Sequence, residues 1–224
     1  MPRTVEGNAT NRFKRNLRKS LRILQTNLGR ETAAHDIAFA TVAEYNIDLL
    51  IVGEPNKTII KAQKWISDKR GDVAVYFRNR EVTVKDIKYY DGFLGLHLEF
   101  CTLYCCYISP NIPINEFQDL VDKIISEIVT SRRECVLLRD INAKSVEWGS
   151  PFTDSRGTYF SECLAAANMV VHNTGDNPTF VRGSTESYID VTCSTQKIAA
   201  NMKKWSIQTL LGSNVASTAS ASSK

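Results

Sequence analysis

Residues 134–150 read E-C-V-L-L-R-D-I-N-A-K-S-V-E-W-G-S. The first five, Glu134–Leu138, are a short and nearly continuous apolar run, as expected of a strand covered on both faces. Asp140 and Asn142 follow as soon as the run stops. The same arrangement recurs along the chain. Asp48–Val52 (DLLIV) is a second buried run and ends at Gly53, Glu54 and Pro55. Leu21–Leu28 (LRILQTNL) reads as a strand with Leu21, Ile23 and Gln25 on its inward side and Asn27 close to its end. Thr102–Ile108 (TLYCCYI) carries Tyr107, and Asn111 lies just beyond Ser109–Pro110. A late segment, S-Y-I-D-V-T, carries Ser187 and Asp190. Polar residues therefore gather where apolar strands end. Layered α/β folds build their sites there, because the scaffold is rigid and the loops are free to vary.

The segments between these runs alternate in character. Residues 33–46 and Gly157–Ala167 are helical in composition. Ile114–Thr130 has Phe117, Leu120, Val121, Ile124, Ile125 and Ile128 three or four apart, which predicts an amphipathic helix with Asn115 as its N-cap. Asp72–Arg78, Phe93–Phe100, Met169–His172, Tyr188–Cys193 and Lys204–Leu210 read as further strands. This order points to an α/β (α+β) layered fold. Residues 212–224 (GSNVASTASASSK) carry no core pattern and read as a flexible Ser/Ala-rich tail. The expected organisation is a basic arm over residues 1–20, one domain over 21–211 and the tail.

Composition sets the outer bounds. With 224 residues, 43% of them hydrophobic, the chain can build one full-sized core. Its 23% charged and 9% aromatic residues exclude wholesale disorder. No apolar run reaches the roughly 18 residues of a membrane-spanning helix, and no signal-peptide pattern opens the chain. The net charge of +4 is uneven. Residues 1–22 hold seven basic residues against Glu6, which leaves 21 basic and 23 acidic residues in the remainder. Such an arm neutralises phosphates, or is simply a solvated terminus. The six cysteines include no Cys-x-x-Cys pair, and most sit in apolar runs. Buried, reduced thiols in an intracellular protein are expected.

Asn27, Glu54, Asp140 and Asn142 form a hard-oxygen set, with neither His nor Cys among them. It suits Mg²⁺, which takes one or two carboxylates plus water and substrate phosphate. The order of the blocks adds a resemblance. LQTNLGR, VGEPN, YISPN, RDINAKSVEWGS, NPTF and STESYIDVT resemble, in sequence and spacing over residues 21–211, the endonuclease/exonuclease/phosphatase superfamily. They resemble most the apurinic-endonuclease-like domain of non-LTR retrotransposons. The resemblance implies a four-layer α/β sandwich with two packed mixed sheets. It also implies a role for each residue. Glu54 would be the metal-binding carboxylate, and Asn27 would help hold the metal and its waters. Asp140 would activate the attacking water, and Asn142 would contact the phosphate beside it. Tyr107 would support the scissile phosphate, and Asp190 would hold a final catalytic histidine. Arg182 and Ser187 lie where the family places a DNA-contacting hairpin, a solvated loop being the equal alternative. Trp148 and Asn111 are further DNA-contact candidates, although an aromatic after such a loop is more often a packing anchor, the reading favoured for Trp148.

Two departures qualify the resemblance. The family block Gly-Asp-Phe-Asn is here Arg139–Asp140–Ile141–Asn142, which puts a cation where a glycine permits a tight backbone. The family's Ser-Asp-His is here Ser213–Asn214–Val215, followed by the Ser/Ala tail, so the last strand is expected to be missing or altered. Of the three histidines, only His172 stands near a family block. The implied activity is Mg²⁺- or Mn²⁺-dependent nicking of double-stranded DNA in the nucleus, serving a reverse transcriptase in a complete element. One alternative is a catalytically impaired DNA-binding relative, and another is a phosphoesterase acting on small or lipid phosphates.

Overall fold

The computed structural model describes residues 20–173, 178–182, 185–209 and 215–222. The first half of the chain contains β1 (Ser20–Asn27), α1 (Thr32–Glu44), β2 (Leu49–Gly53), α2 (Lys57–Ala62), β3 (Trp65–Ser67), β4 (Val73–Phe77), β5 (Val84–Tyr89), β6 (Phe93–Leu98) and β7 (Thr102–Tyr107). The second half contains α3 (Ile114–Ser131), β8 (Cys135–Asp140), a 3₁₀ turn at Val146–Trp148, α4 (Ser155–Ala166), β9 (Met169–Val171), β10 (Phe180–Arg182), β11 (Thr185–Ser187), β12 (Asp190–Thr195), α5 (Gln196–Ala199), β13 (Met202–Thr209) and β14 (Val215–Ser222).

Two six-stranded sheets form, in the orders β13-β14-β1-β2-β4-β3 and β5-β6-β7-β8-β12-β9, and β10 and β11 make a separate hairpin. Both large sheets are mixed: β1 pairs with β2, and β7 with β8, in parallel, while the other neighbours run antiparallel. The continuous apolar runs are explained by the layering. In β2, Leu49 and Ile51 face the intersheet core with Leu96, Leu103, Val136 and Leu138. Leu50 and Val52 face the other way, onto Ala34, Ala38 and Val42 of α1. On the far side, Phe117, Val121 and Ile124 of α3 and Phe160 and Leu164 of α4 cover Tyr104, Leu137 and Val191. The result is helix, sheet, sheet, helix, the expected four-layer sandwich. Truncating one of these buried leucines to alanine costs about 2–5 kcal/mol.

The expected strands and the three long helices are present, with ends displaced by a residue or two. Two expectations fail. The cap of α3 is Pro113, not Asn115: Pro113 has φ −61°, and its carbonyl accepts the Phe117 N–H at 3.0 Å. A ring-locked φ is already compatible with helix entry. The Ser/Ala tail is the second correction. Val215–Ser222 is a strand between β1 and β13, antiparallel to both, with Ile23 opposite Ala219 and Gln25 opposite Ser217. It needs no apolar content, because its partners supply backbone hydrogen bonds on both sides. The last strand is therefore present. Residues 1–19 and 210–214, the latter including Asn214, lie outside the described residues.

Cys101, Cys105, Cys106, Cys135 and Cys193 are buried and unbridged, and burial pushes the Cys101 and Cys135 thiols up to about 12. No helix among the described residues is long and apolar enough to cross a membrane.

Candidate active site

Strand periodicity carries the site. In β1 the alternation that turns Leu21 and Ile23 into the intersheet core continues through Gln25 to Asn27 at the rim. Val136 and Leu138 lead in the same way to Asp140, and Leu103 and Cys105 lead to Tyr107. Tyr107, Asp140 and Asp190 lie side by side across β7, β8 and β12, because the ladder pairs Tyr107 with Asp140 and Asp140 with Asp190. In the facing sheet Asn27 pairs with Gly53, which places Glu54 one residue beyond. Glu54 and Asn142 both take the left-handed conformation, with φ 44° and 47°. Strained non-glycine residues of this kind persist only where their surroundings hold them. For Glu54 the hold is a bond from its N–H to the Asp72 carbonyl, 2.9 Å, and one from the Arg30 N–H to its own carbonyl, 2.8 Å.

Asn27 joins the two sheets. Its Nδ2 donates to Asp140 Oδ2 at 2.7 Å and to Glu54 Oε2 at 3.2 Å, while its Oδ1 accepts the Gly29 N–H at 2.8 Å. Asn142 Nδ2 donates to Asp140 Oδ1 and to the Ile108 carbonyl, each at 3.0 Å. Each Asp140 oxygen thus has an amide donor. Asp140 is only 3% exposed, and burial pushes its carboxyl up to about 7. Hydrogen bonds from Asn27 and Asn142 oppose that rise and the Glu54 charge adds to it. The Tyr107 hydroxyl lies beside Glu54 and Ser109, and its pKa is raised by burial and then by the Glu54 and Asp140 charges.

Asp190 accepts from Gln25 Nε2 at 2.8 Å, its N–H donates to Thr179 Oγ1 at 3.0 Å, and its carbonyl accepts from Asn173 Nδ2 at 2.8 Å. Burial, followed by the Asp140 charge, raises its carboxyl well above the usual range. Among the described residues the side-chain donor to the Asp190 carboxyl is Gln25, not a histidine. His172 is turned elsewhere, onto Ser194 Oγ at 2.7 Å.

The other expectations divide. Trp148 is corrected from a DNA contact to a packing anchor. It is 2% exposed, its indole N–H donates to the Ala143 carbonyl at 3.2 Å, and its ring meets Phe160 edge-on. An indole so enclosed has no face left for a duplex. Arg139 is paired in regular strand register with Cys106 and Val191, so its replacement of glycine does not distort the turn. The left-handed residue of that block is Asn142. Asn111 is exposed in the loop after β7, and Ser187 ends the β10–β11 hairpin, where Arg182 pairs with Thr185. The side chains of Arg139 and Arg182 lie outside the described residues. The residue-by-residue reading missed Gln25 as a site residue, although its parity with Asn27 was visible. It also missed Arg30, whose guanidinium lies 3.8 Å from Glu54.

Among the described residues no three His, Cys, Asp or Glu side chains converge as a ready-made metal cluster. One carboxylate with room for water is nevertheless a fitting partner for Mg²⁺. Glu54 offers one, since its Oε1 is turned to the exposed Arg30 and its Oε2 to Asn27.

The model of a family described as endonuclease-reverse transcriptase matches residues 101–214, just over half of the chain. No curated protein matches it. Solved structures share the fold. The endonuclease domain of TRAS1, a telomere-specific non-LTR retrotransposon, superposes with a TM-score of 0.74 at 22% identity, over 90% of this chain and 98% of that one. The 3′ phosphatase NExo from Neisseria, solved with a product DNA hairpin, gives 0.68 at 15% identity, over 89% and 98%. An AP endonuclease from Archaeoglobus fulgidus gives 0.69 at 12% identity, over 89% and 98%. By the sequence match over β7 to β13 and by the two packed mixed sheets, the chain belongs to the endonuclease-reverse transcriptase family of the endonuclease/exonuclease/phosphatase superfamily.

Proposed function

We propose that the chain is a divalent-metal-dependent DNA endonuclease that nicks target DNA for retrotransposition. What carries the reading is the Asn27 bridge, which holds Glu54 of one sheet and Asp140 of the other at a common rim. Glu54, with water, would hold Mg²⁺ or Mn²⁺, and the ion would neutralise charge on the phosphate and the leaving oxygen.

The chain's own residues supply the rest. Asp140 takes the proton of the attacking water. A carboxyl held near 7 is matched to that work at neutral pH. Asn27 and Asn142 fix its two oxygens, so its lone pairs point in a set direction before substrate arrives. Both Asn142 N–H bonds are engaged, so its part is to orient Asp140 rather than to meet the phosphate itself. Tyr107 offers its O–H to the scissile phosphate, a preset donor whose loss typically costs about 10²–10³-fold in rate. Asp190 supports the row from behind Asp140. The β10–β11 hairpin and Asn111 border the DNA, and the basic arm of residues 1–20 adds salt-dependent affinity. Cleavage leaves a 3′-hydroxyl for a reverse transcriptase, in the nucleus.

Nicking of supercoiled plasmid with Mg²⁺ or Mn²⁺, beside Asp140→Ala and Glu54→Gln, tests the reading. Nicking by the native chain, lost in both variants, supports it. A second reading rests on the Asp190 carboxyl, which takes its side-chain hydrogen bond from Gln25 and not from a histidine: a DNA-binding relative with an impaired site. It predicts retained DNA binding, no nicking, and recovery with Asn214→Asp/Val215→His. Hydrolysis of small phosphoesters with DNA left intact would point instead to a phosphoesterase.

A further inference from the structure

The first turn of α4 carries a constellation that the proposed chemistry leaves unused. Arg156 Nη1 donates to the Ser109 carbonyl at 3.1 Å, and Nη2 donates to the carbonyls of Pro110, at 3.1 Å, and Ile112. The guanidinium lies 4.9 Å from the centre of the Phe117 ring. One planar fork thus gathers three carbonyls of a single loop, a task that needs several donors in fixed directions.

The same turn is fastened to a second loop. Asp154 Oδ1 accepts the N–H of Gly157 at 2.7 Å and that of Lys144 at 3.2 Å, and the Asp154 N–H donates to the Lys144 carbonyl at 3.0 Å. A Cβ on Gly157 would fall 1.8 Å from that carbonyl oxygen, so only glycine lets the helix sit so close. The two loops leave the strands that bear Tyr107 and Asp140, and the Asn142 side chain joins them through the Ile108 carbonyl.

The path from Arg156 to the site is short. Arg156 holds the Ser109 carbonyl, and the Ser109 hydroxyl, which accepts the Asn111 N–H at 3.3 Å, lies beside Tyr107. We infer that Arg156 is a positioning residue, which sets Ser109 against the Tyr107 hydroxyl and holds Asn111 at the DNA-facing rim. The inference rests on the endonuclease reading for its kinetic consequence, but its structural content can be measured without activity.

The test uses the full chain with Arg156→Lys, Ser109→Ala and the double variant. Lysine keeps the charge and loses the fork. Amide hydrogen exchange at Ile108, Asn111 and Ile112 is expected to speed up about tenfold in Arg156→Lys, with the interiors of β7 and β8 unchanged. In plasmid nicking, kcat is expected to fall about tenfold, a displaced donor being enough for that, with KM within about twofold. Ser109→Ala, which keeps the carbonyl fork, is expected to lower kcat too. The double variant should be no worse than the poorer single one, because both act through Tyr107. Unchanged exchange in the loop, additive losses, or a loss that follows a fall in Tm would overturn the inference. If the native chain does not nick, the endonuclease reading fails by itself, and the exchange measurement still decides the role of Arg156. Should Arg156→Lys not fold, Ser109→Ala decides: native kcat in that variant overturns the inference.

Discussion

Asp140 and Asp68 are equally buried, each 3% exposed, yet they are held in opposite ways. Asp68 accepts four backbone N–H groups: those of Asp72 and Val73 on Oδ1, and those of Arg70 and Gly92 on Oδ2. Its partners are main chain and its neighbourhood is a pair of turns. Asp140 is held by two side-chain amides and lies between Glu54 and Asp190, two further carboxyls. A carboxylate surrounded by backbone donors is a fastener. A carboxylate among other acids, held by replaceable amides, is under electrostatic tension that a cation or a proton relieves. The same side chain at the same depth thus serves structure in one place and, in the proposed function, chemistry in the other.

The largest effect that separates them is kinetic. Asp140→Asn should lower plasmid nicking by about 10³-fold, within the usual range for losing a general base, while the variant stays folded. Asp68→Asn should nick normally per folded molecule. Equal losses in the two variants, each corrected for folded fraction, would break the distinction.

The next effect is on stability. Asp68→Ala leaves four N–H groups without an acceptor, and urea unfolding should show a loss of about 3 kcal/mol or more. Asp140→Asn should show no such loss at neutral pH, because it removes a carboxyl that burial opposes.

A smaller effect appears against pH. The Asp140 carboxyl is raised from 3.8 to about 7 in the folded chain, chiefly by burial. Folding is therefore favoured fully below the unfolded value. That contribution is lost as pH rises from about 4 to about 7, and is flat beyond. Asp190 works in the same direction. Without divalent metal, stability of the native chain should decline across this window, and Asp140→Asn should reduce the decline. Added Mg²⁺ or Mn²⁺ should restore stability near pH 7, by binding the folded state alone. A native chain whose stability climbs across the window would contradict the burial argument.

The smallest effect concerns the rim. Trp148→Phe removes the indole N–H bond to Ala143 and should cost about 1 kcal/mol, read by thermal unfolding. DNA affinity should not change. A selective loss of DNA binding at native stability would return Trp148 to the interface.

Much of this was legible in residue order, for a local reason. A strand's period of two is a property of the chain itself, so Leu21, Ile23 and Gln25 announce which way Asn27 points, and Val136 and Leu138 announce Asp140. The family blocks named Glu54, Tyr107, Asn142 and Asp190 as well. What they could not convey was company. Gln25 meets Asp190 across 165 residues, and Asn27 meets Asp140 across 113. Such pairings exist only once two sheets have closed on each other. Trp148 is an anchor only because α4 brings Phe160 against it. Val215–Ser222 carries no apolar signal and is a strand only because β1 and β13 lie on either side. The sequence by itself determined the alternation, the layers and the identity of the polar residues at the strand ends. The tertiary structure alone decided which of them touch, since side-chain facing is local and strand pairing is not.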